Sequence, residues 1–327
     1  MKWIILLAAL ATACGGDDDG GDGSTAGDGG GGDDTGWEQL ADLPSGPVQE
    51  TAVVEVAGVI YVLGGIDEAT RTVPRVLAYH PADDSWDTAP DLPAAVHHIN
   101  AAAVDGTIYV VGSLAPDFTP VAEVWSWTPG DEAWSTGRAA MPAPVRGAAA
   151  VGVVDGSIVV AGGLSAAGSS EVVSAYDPAA DAWDEERAAL PMPLDHATGQ
   201  VVGGDFYVIG GRSNGIVAVS AEVFRADGAS WATRAPMPTA RGGIASGVIG
   251  DRIVVVGGEG NTDADTGVFP QTEIYDPAAD AWDSLADMPT PRHGMAAAGL
   301  DGTLYVPGGA DHQAFAAVAT HEALHLE

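Results

Sequence analysis

One cysteine, Cys14, and one lysine, Lys2, are all that 327 residues contain of either type. A single thiol excludes an intramolecular disulfide, a cysteine metal cluster and catalysis by paired thiols. Positive charge is scarce throughout, 12 Lys and Arg against 46 Asp and Glu, and the formal net charge is −34. A field of that sign repels phosphate backbones and anionic headgroups, which excludes nucleic-acid binding and leaves basic partners and divalent cations admissible. Salt-adapted proteins share such a surface, and genome composition alone produces it too. Aromatics are 6% of the chain. The N-terminal apolar run, residues 1–13 (MKWIILLAALATA), is shorter than the roughly 20 residues a spanning helix needs. No Gly-x-Ser-x-Gly, His-Glu-x-x-His or phosphate-loop motif is present.

An early lysine, an apolar stretch and small residues before the cysteine make residues 1–13 a signal peptide by pattern. Ala11-Thr12-Ala13-Cys14 resembles a bacterial lipobox, with alanine where that family prefers leucine. The resemblance implies lipidation of Cys14; an ordinary signal peptide cut near a chance cysteine is the alternative. Residues 14–36 are nearly all Gly and Asp after the cysteine and have nothing to bury, so they read as a disordered, self-repelling tether. The expectation is an exported protein anchored by lipid in the bacterial cell envelope. Glycine rather than aspartate after Cys14 favours the outer membrane.

Glycine (45) and proline (21) are abundant, and from residue 37 to the end the sequence repeats itself. Trp37, Trp86, Trp134, Trp183, Trp231 and Trp282 fall at a nearly constant step. Between them stand Gly64-Gly65, Gly162-Gly163, Gly210-Gly211, Gly257-Gly258 and Gly308-Gly309, with Gly112-Ser113 in the pair's place in the second unit. Apolar runs such as VIYVLGG, SIVVAGG and RIVVVGG end in these pairs and favour the pleated conformation. One unit reads as four strands: 146–154, 157–161 after the Asp155-Gly156 turn, 171–176, and a fourth from Trp183. Such meanders stacked around an axis bury both faces of each sheet and remove most edges.

The glycine pairs, the Tyr-Asp-Pro turns and the spaced tryptophans resemble the Kelch repeat over about 290 residues from Trp37 onward. The resemblance implies an all-β, six-bladed β-propeller over residues 37–327. Trp37 begins an outer strand with no unit before it, and the last unit lacks one, so the N-terminal strand is expected to close the ring in the last blade. The tryptophans are expected to pack between blades.

Strand parity places the informative loops on the face where the first strands begin. Sixteen residues before each glycine pair stand Val48, Val96, Arg146, Leu194, Arg241 and Arg292; fourteen before stand Glu50, His98, Ala148, His196, Gly243 and Gly294. Positions two apart on a strand share a side. The expectation is therefore a ring of three arginines, two histidines and a glutamate at one channel mouth. In Kelch domains that bind acidic peptides, arginines at this place in the repeat carry binding, which implies the same for Arg146, Arg241 and Arg292; pairing with acidic residues of neighbouring loops is the alternative. His98 and His196 alone make no metal site without a third ligand. Phe118, in a loop of the irregular second unit, either stacks on a sugar or partner or plugs its own loop. Glu259, Asp263 and Asp265 sit in the loop 259–271, read as solvated and acidic, with calcium chelation as the alternative.

With no catalytic constellation apparent, the chain reads first as a monomeric, cofactor-free binding module for a protein, peptide or glycan, with catalysis left open. The alternative is an enzyme resembling the bacterial sialic acid mutarotases, exported six-bladed Kelch propellers. Their chemistry asks for acid/base groups and an arginine, which Glu50, His98, His196 and Arg146 would supply.

Overall fold

Six times the chain lays down short antiparallel strands, because each β-branched run ends where the backbone must take positive φ. The first-to-second turns show it: Asp105 and Gly106, Asp155 and Gly156, Asp301 and Gly302 all have φ between 49° and 81°. Two consecutive positive-φ residues match the twist of a tight hairpin. The structure is a computed structural model that describes residues 36–326. The signal peptide assigned to 1–13, the lipidated Cys14 and the tether up to residue 35 lie outside the described residues.

Blades one, three, four and five are four-stranded meanders, each with consecutive strands paired. Blade three runs Ala150–Val154, Ser157–Ala161, Val173–Asp177 and Ala182–Asp184. The sixth blade takes Ala298–Leu300, Thr303–Pro307 and His321–His325 from the C-terminal end and Trp37–Gln39 from the N-terminal end. Trp37 lies opposite Leu324 and Gln39 opposite Glu322, so the N-terminal strand closes the ring as the repeat count requires. Inner strands touch their neighbours in cyclic order, the sixth against the first.

The tryptophans are bridges between blades. Indole N–H groups of Trp86, Trp134, Trp183, Trp231 and Trp282 donate to Ala41, Pro90, Ala139, Ala188 and Ala235 carbonyls about one repeat upstream. Trp37 makes the closing member, donating to Ala286. The Tyr-Asp-Pro turn works beside it. Tyr176 Oη donates to Asp181 Oδ1, which also accepts from the Ala139 amide of the previous blade. Tyr275 and Asp280 repeat this with Ala235.

The glycine pairs allow the next blade to approach. A Cβ on Gly162, at φ +66°, would stand 2.6 Å from the Leu194 carbonyl oxygen of the next blade. The amide of the second glycine then binds that blade: Gly163 donates to Leu194, Gly211 to Arg241 and Gly258 to Arg292. In blade two, where Ser113 replaces the second glycine, Asn100 takes over. Its Nδ2 donates to the Arg146 carbonyl at 2.9 Å and its Oδ1 accepts from Ala149. That blade has three strands, a register shift between Val121 and Val124, and only an isolated bridge, Ser126–Ser135, where a fourth would run.

Deleting residues 37–44 removes the closing strand, the Trp37 bridge and buried Leu43. Several kcal/mol are lost, so the truncated protein is expected to melt about 10 °C or more below the full chain by calorimetry. An unchanged melting temperature would contradict closure by this strand.

Candidate functional site

The channel mouth is built on a backbone feature that recurs in every blade. Glu50, His98, Ala148, His196, Gly243 and Gly294 all have φ between 50° and 62°. Each amide donates to the carbonyl of the equivalent residue one blade back: His98 to Glu50, Ala148 to His98, His196 to Ala148, Gly243 to His196, Gly294 to Gly243, and Glu50 to Gly294. Six bonds of 2.5–3.0 Å close a circle around the axis. Four of the six positions hold a residue with a Cβ in the left-handed region, a conformation that persists only where its surroundings enforce it.

This kink breaks the parity that the sequence suggests. Inner strands start only beyond it, at Ala52, Ala150 and Ala298 for example, and Arg146 does not share a side with Ala148. Arg146, Arg241 and Arg292 do not line the channel; all three are 0% exposed. Arg146 donates to the Gly162, Pro144 and Val160 carbonyls and to Ser174 Oγ. Arg241 and Arg292 bind carbonyls of their own blades in the same way and pair with Glu273 and Glu322, third-strand carboxylates. Blades without the arginine fill the same space with apolar groups: Val48 clusters with Leu77, Val96 with Trp125, Leu194 with Phe224. The arginine column is thus one half of a coupled interior pair.

The six kinked residues line a cavity of about 440 Å³ along the axis, walled below by small residues of the inner strands such as Ala102, Ala149 and Gly247. Glu50, His98 and His196 are brought together there. Their side chains are 11%, 5% and 3% exposed. Glu50 Oε2 lies 3.3 Å from His98 Nε2, and the imidazoles of His98 and His196 meet edge to face at 4.8 Å. One donor atom from each of the three lies within 4.8 Å of the other two. The third donor that the sequence left unidentified is therefore Glu50. At Gly294 a Cβ would stand 2.6 Å from Glu50 Oε1, so glycine there makes room for the carboxylate.

Sequence reasoning missed a second layer. In each blade the residue before the kink pairs with the residue after the glycine pair, as in His97–Leu114, Asp195–Arg212, Gly242–Glu259 and His293–Ala310. This collar places charged groups over the kink. Arg212 Nε donates to Asp195 Oδ1 at 2.9 Å, Nη1 to Glu259, and Nη2 to His196 Nε2 at 3.0 Å. His196 Nδ1 donates to Asp195 Oδ1, because a carboxylate only accepts. His293 Nδ1 faces Glu259 Oε2 at 3.5 Å and Glu50 Oε1 at 3.9 Å. The column fifteen residues before the first glycine is polar in blades one, two, four and six, and the column two after it is charged in blades four and five alone; these are the signal that would have found them.

Phe118 joins the mouth from blade two. Its ring is 44% exposed and meets His97 at 4.6 Å and His98 at 5.7 Å. Glu259 turns inward to Arg212, leaving Asp263 and Asp265 exposed on their loop. Those three do not gather; among the described residues the only set of three or more candidate metal donors is the one at Glu50.

Burial opposes the charge on Glu50, but His98, His196, His293 and Arg212 outweigh it and hold the carboxyl at about 2. Burial pushes His98 down to about 3, only partly offset by Glu50. Asp195 is held well below the ordinary carboxylate range; burial works against this, and the His196, Ser169 and Arg212 contacts prevail. In blade six, burial takes His321 to about 4, its ring edge-on to Tyr79 and Trp86.

Two outcomes follow. Arg241→Ala leaves Glu273 buried without its partner and is expected to cost about 3–5 kcal/mol in urea denaturation. Loss below about 1 kcal/mol would show that Arg241 is not part of the framework. His98 and His321 have native values below the unfolded value near 6.5, so between pH 6.5 and about 4 only the unfolded chain takes their protons. Their contribution is complete above pH 6.5 and declines as pH falls. Acidification also relieves the repulsion among surface carboxylates, so the discriminating measurement is a difference: His321→Leu should flatten the fall in melting temperature between pH 6.5 and 4.

Comparison with known proteins bears on the fold and the repeat. The Kelch motif matches at residues 49–93, 146–187 and 240–289. Kelch-like protein terF of Aspergillus terreus is 36% identical over 281 residues, 80% of this chain and 61% of that protein. The F-box/kelch-repeat protein At1g67480 of Arabidopsis thaliana is 35% identical over 113 residues, 33% of this chain and 29% of that protein. Beta-scruin of Limulus polyphemus is 38% identical over 79 residues, 24% of this chain and 8% of that protein. The chain spans less than two thirds of the length of each. The solved structure of YjhT superposes with a TM-score of 0.71 over 86% of this chain and 96% of that chain at 16% identity, a likeness of fold.

Proposed function

From a six-bladed propeller built of Kelch repeats, we propose an exported binding module that takes a protein, peptide or glycan ligand on the face around Glu50, His98, His196 and Phe118. The observation that carries this reading is the divergence of the blades at one place. They agree in tryptophan bridges, kinked backbone and, outside blade two, glycine pairs, and they differ in the side chains presented at the mouth. A scaffold needs the first set, and selection for a ligand accounts for the second. Half-exposed Phe118 offers an apolar platform beside a buried polar floor, a combination suited to the ring face of a sugar or an aromatic side chain.

The floor contains the carboxyl groups of Glu50, Asp195 and Glu259 against the single guanidinium of Arg212. A ligand that presents a basic or hydrogen-donating group there meets complementary charge. The anchor completes the reading: a lipid on Cys14 and the Gly/Asp tether of 14–36 would hold the propeller off the membrane, the outer membrane for preference. That part rests on the sequence pattern alone.

A carbohydrate epimerase resembling the sialic acid mutarotases is the second reading, favoured by one observation. Glu50 is held ionised and His98 neutral in a single pocket, as a base and an acid/base partner would be. Arg146, assigned above to a substrate carboxylate, is buried in its blade, so Arg212 would have to serve. Arg212 is already engaged by Asp195 and Glu259, which ranks this reading second.

The test is capture from a cell-envelope extract and from a glycan array by the immobilised chain. Phe118→Ala combined with Glu50→Gln is expected to reduce capture at least tenfold, while Asp155→Asn, in a hairpin turn at the other end of the blades, leaves it unchanged. Equal effects of both would remove the mouth as the binding face. In a parallel arm, accelerated exchange of sialic acid anomers by NMR, abolished by Arg212→Ala, would promote the second reading over the first.

A further inference from the structure

We propose that Glu50, His98 and His196 form a binding site for a divalent first-row transition ion, with zinc as the reference case, at the mouth of the channel. Two imidazoles and one carboxylate are a donor set suited to such ions, and they leave at least one coordination position for an oxygen donor from a ligand. The three come from three different blades and are nine-tenths buried or nearly so, which is where a donor set would be rigid and shielded from bulk water.

Distances agree with a contracted site. Bonds of about 2.0–2.2 Å in a tetrahedron place donors about 3.3–3.6 Å apart. Glu50 Oε2 and His98 Nε2 stand 3.3 Å apart already. The widest separation in the set, within 4.8 Å, closes by about 1.5 Å through side-chain torsions. The backbone beneath is held by the closed circle of amide bonds, so contraction asks nothing of the fold.

Proton positions point the same way. Asp195 accepts from His196 Nδ1, and because a guanidinium only donates, the bond from Arg212 Nη2 marks His196 Nε2 as the lone-pair atom. A carboxylate behind a histidine is the arrangement that orients a metal-ligating imidazole and raises its basicity. His293 borders the same pocket: its Nε2 donates to the His312 carbonyl, and its buried Nδ1 faces Glu259 Oε2 at 3.5 Å and Glu50 Oε1 at 3.9 Å.

Arg212 is the cation now present, and it defines the competition. Its Nη2 occupies the His196 lone pair, while Nε and Nη1 are held by Asp195 and Glu259. An ion at the three donors displaces only the first of these bonds and leaves Arg212 paired. Arg212 and the metal are thus alternative partners of His196.

The experiment uses the untagged full chain, stripped with chelator, titrated with zinc by calorimetry and followed by thermal melting. One equivalent is expected to bind with micromolar or tighter affinity and to raise the melting temperature by several degrees at saturating zinc. Glu50→Gln, His98→Gln and His196→Gln should each weaken binding at least a hundredfold, and His80→Gln and His312→Gln should not change it. Asp195→Asn should weaken it about 10- to 100-fold. Arg212→Met should tighten it tenfold or more. Wild-type protein loaded with one equivalent of copper(II) should show hyperfine splitting from two imidazole nitrogens, a readout that needs no variant to fold. The proposal is overturned if the stripped wild type takes up no stoichiometric zinc, cobalt, iron(II) or manganese, if the copper spectrum lacks two nitrogens, or if the His98→Gln/His196→Gln double variant binds as the wild type does.

Discussion

The circle of six amide-to-carbonyl bonds at the axis fixes everything that surrounds it. A blade can join the ring only if its backbone turns left-handed at the same point and offers its carbonyl to the next amide. A β-sheet alone would leave these groups facing a channel without partners, and buried backbone polar groups are costly unpaired. The circle satisfies them and sets the spacing of the blades at once. The tryptophan bridges repeat the coupling farther from the axis, and the closing strand at Trp37 supplies the sixth of them.

Inside the blades the same position is solved in two ways. Blades three, five and six bury an arginine against Ser174, Glu273 and Glu322, and blades one, two and four bury an aliphatic residue against Leu77, Trp125 and Phe224. A guanidinium is tolerable at zero exposure because backbone carbonyls of its own blade take its donors. Exchange of one partner alone strands a charge or a cavity. Asn100 shows the same economy at a different place, its amide replacing the glycine N–H that blade two lacks.

Once the framework is met by backbone and by these interior pairs, the side chains at the kink carry no structural duty beyond fitting the circle. Ala148, Gly243 and Gly294 satisfy it with almost nothing. Glu50, His98 and His196 satisfy it equally and bring three donors into one buried space, with Asp195, Arg212 and Glu259 laid over them by the collar. The polar chemistry at this mouth is therefore not required by the circle itself.

The sequence by itself determined the number of blades, the turns and the closing strand, because each follows from signals repeated along the chain. It also picked out Glu50, His98, His196 and Phe118, since these stand where the units differ. It assigned Arg146, Arg241 and Arg292 to the same mouth by alternation along a strand, and that failed for a physical reason: the left-handed residues at 148, 243 and 294 end the alternation, and at Ala148 no glycine announces the turn. Only the tertiary structure decided which donors from separate blades meet, because distances across a channel are set by ring closure and not by neighbours in the chain. The union of Glu50 with His98 and His196, and of Arg212 with Glu259, exists only once the blades are joined.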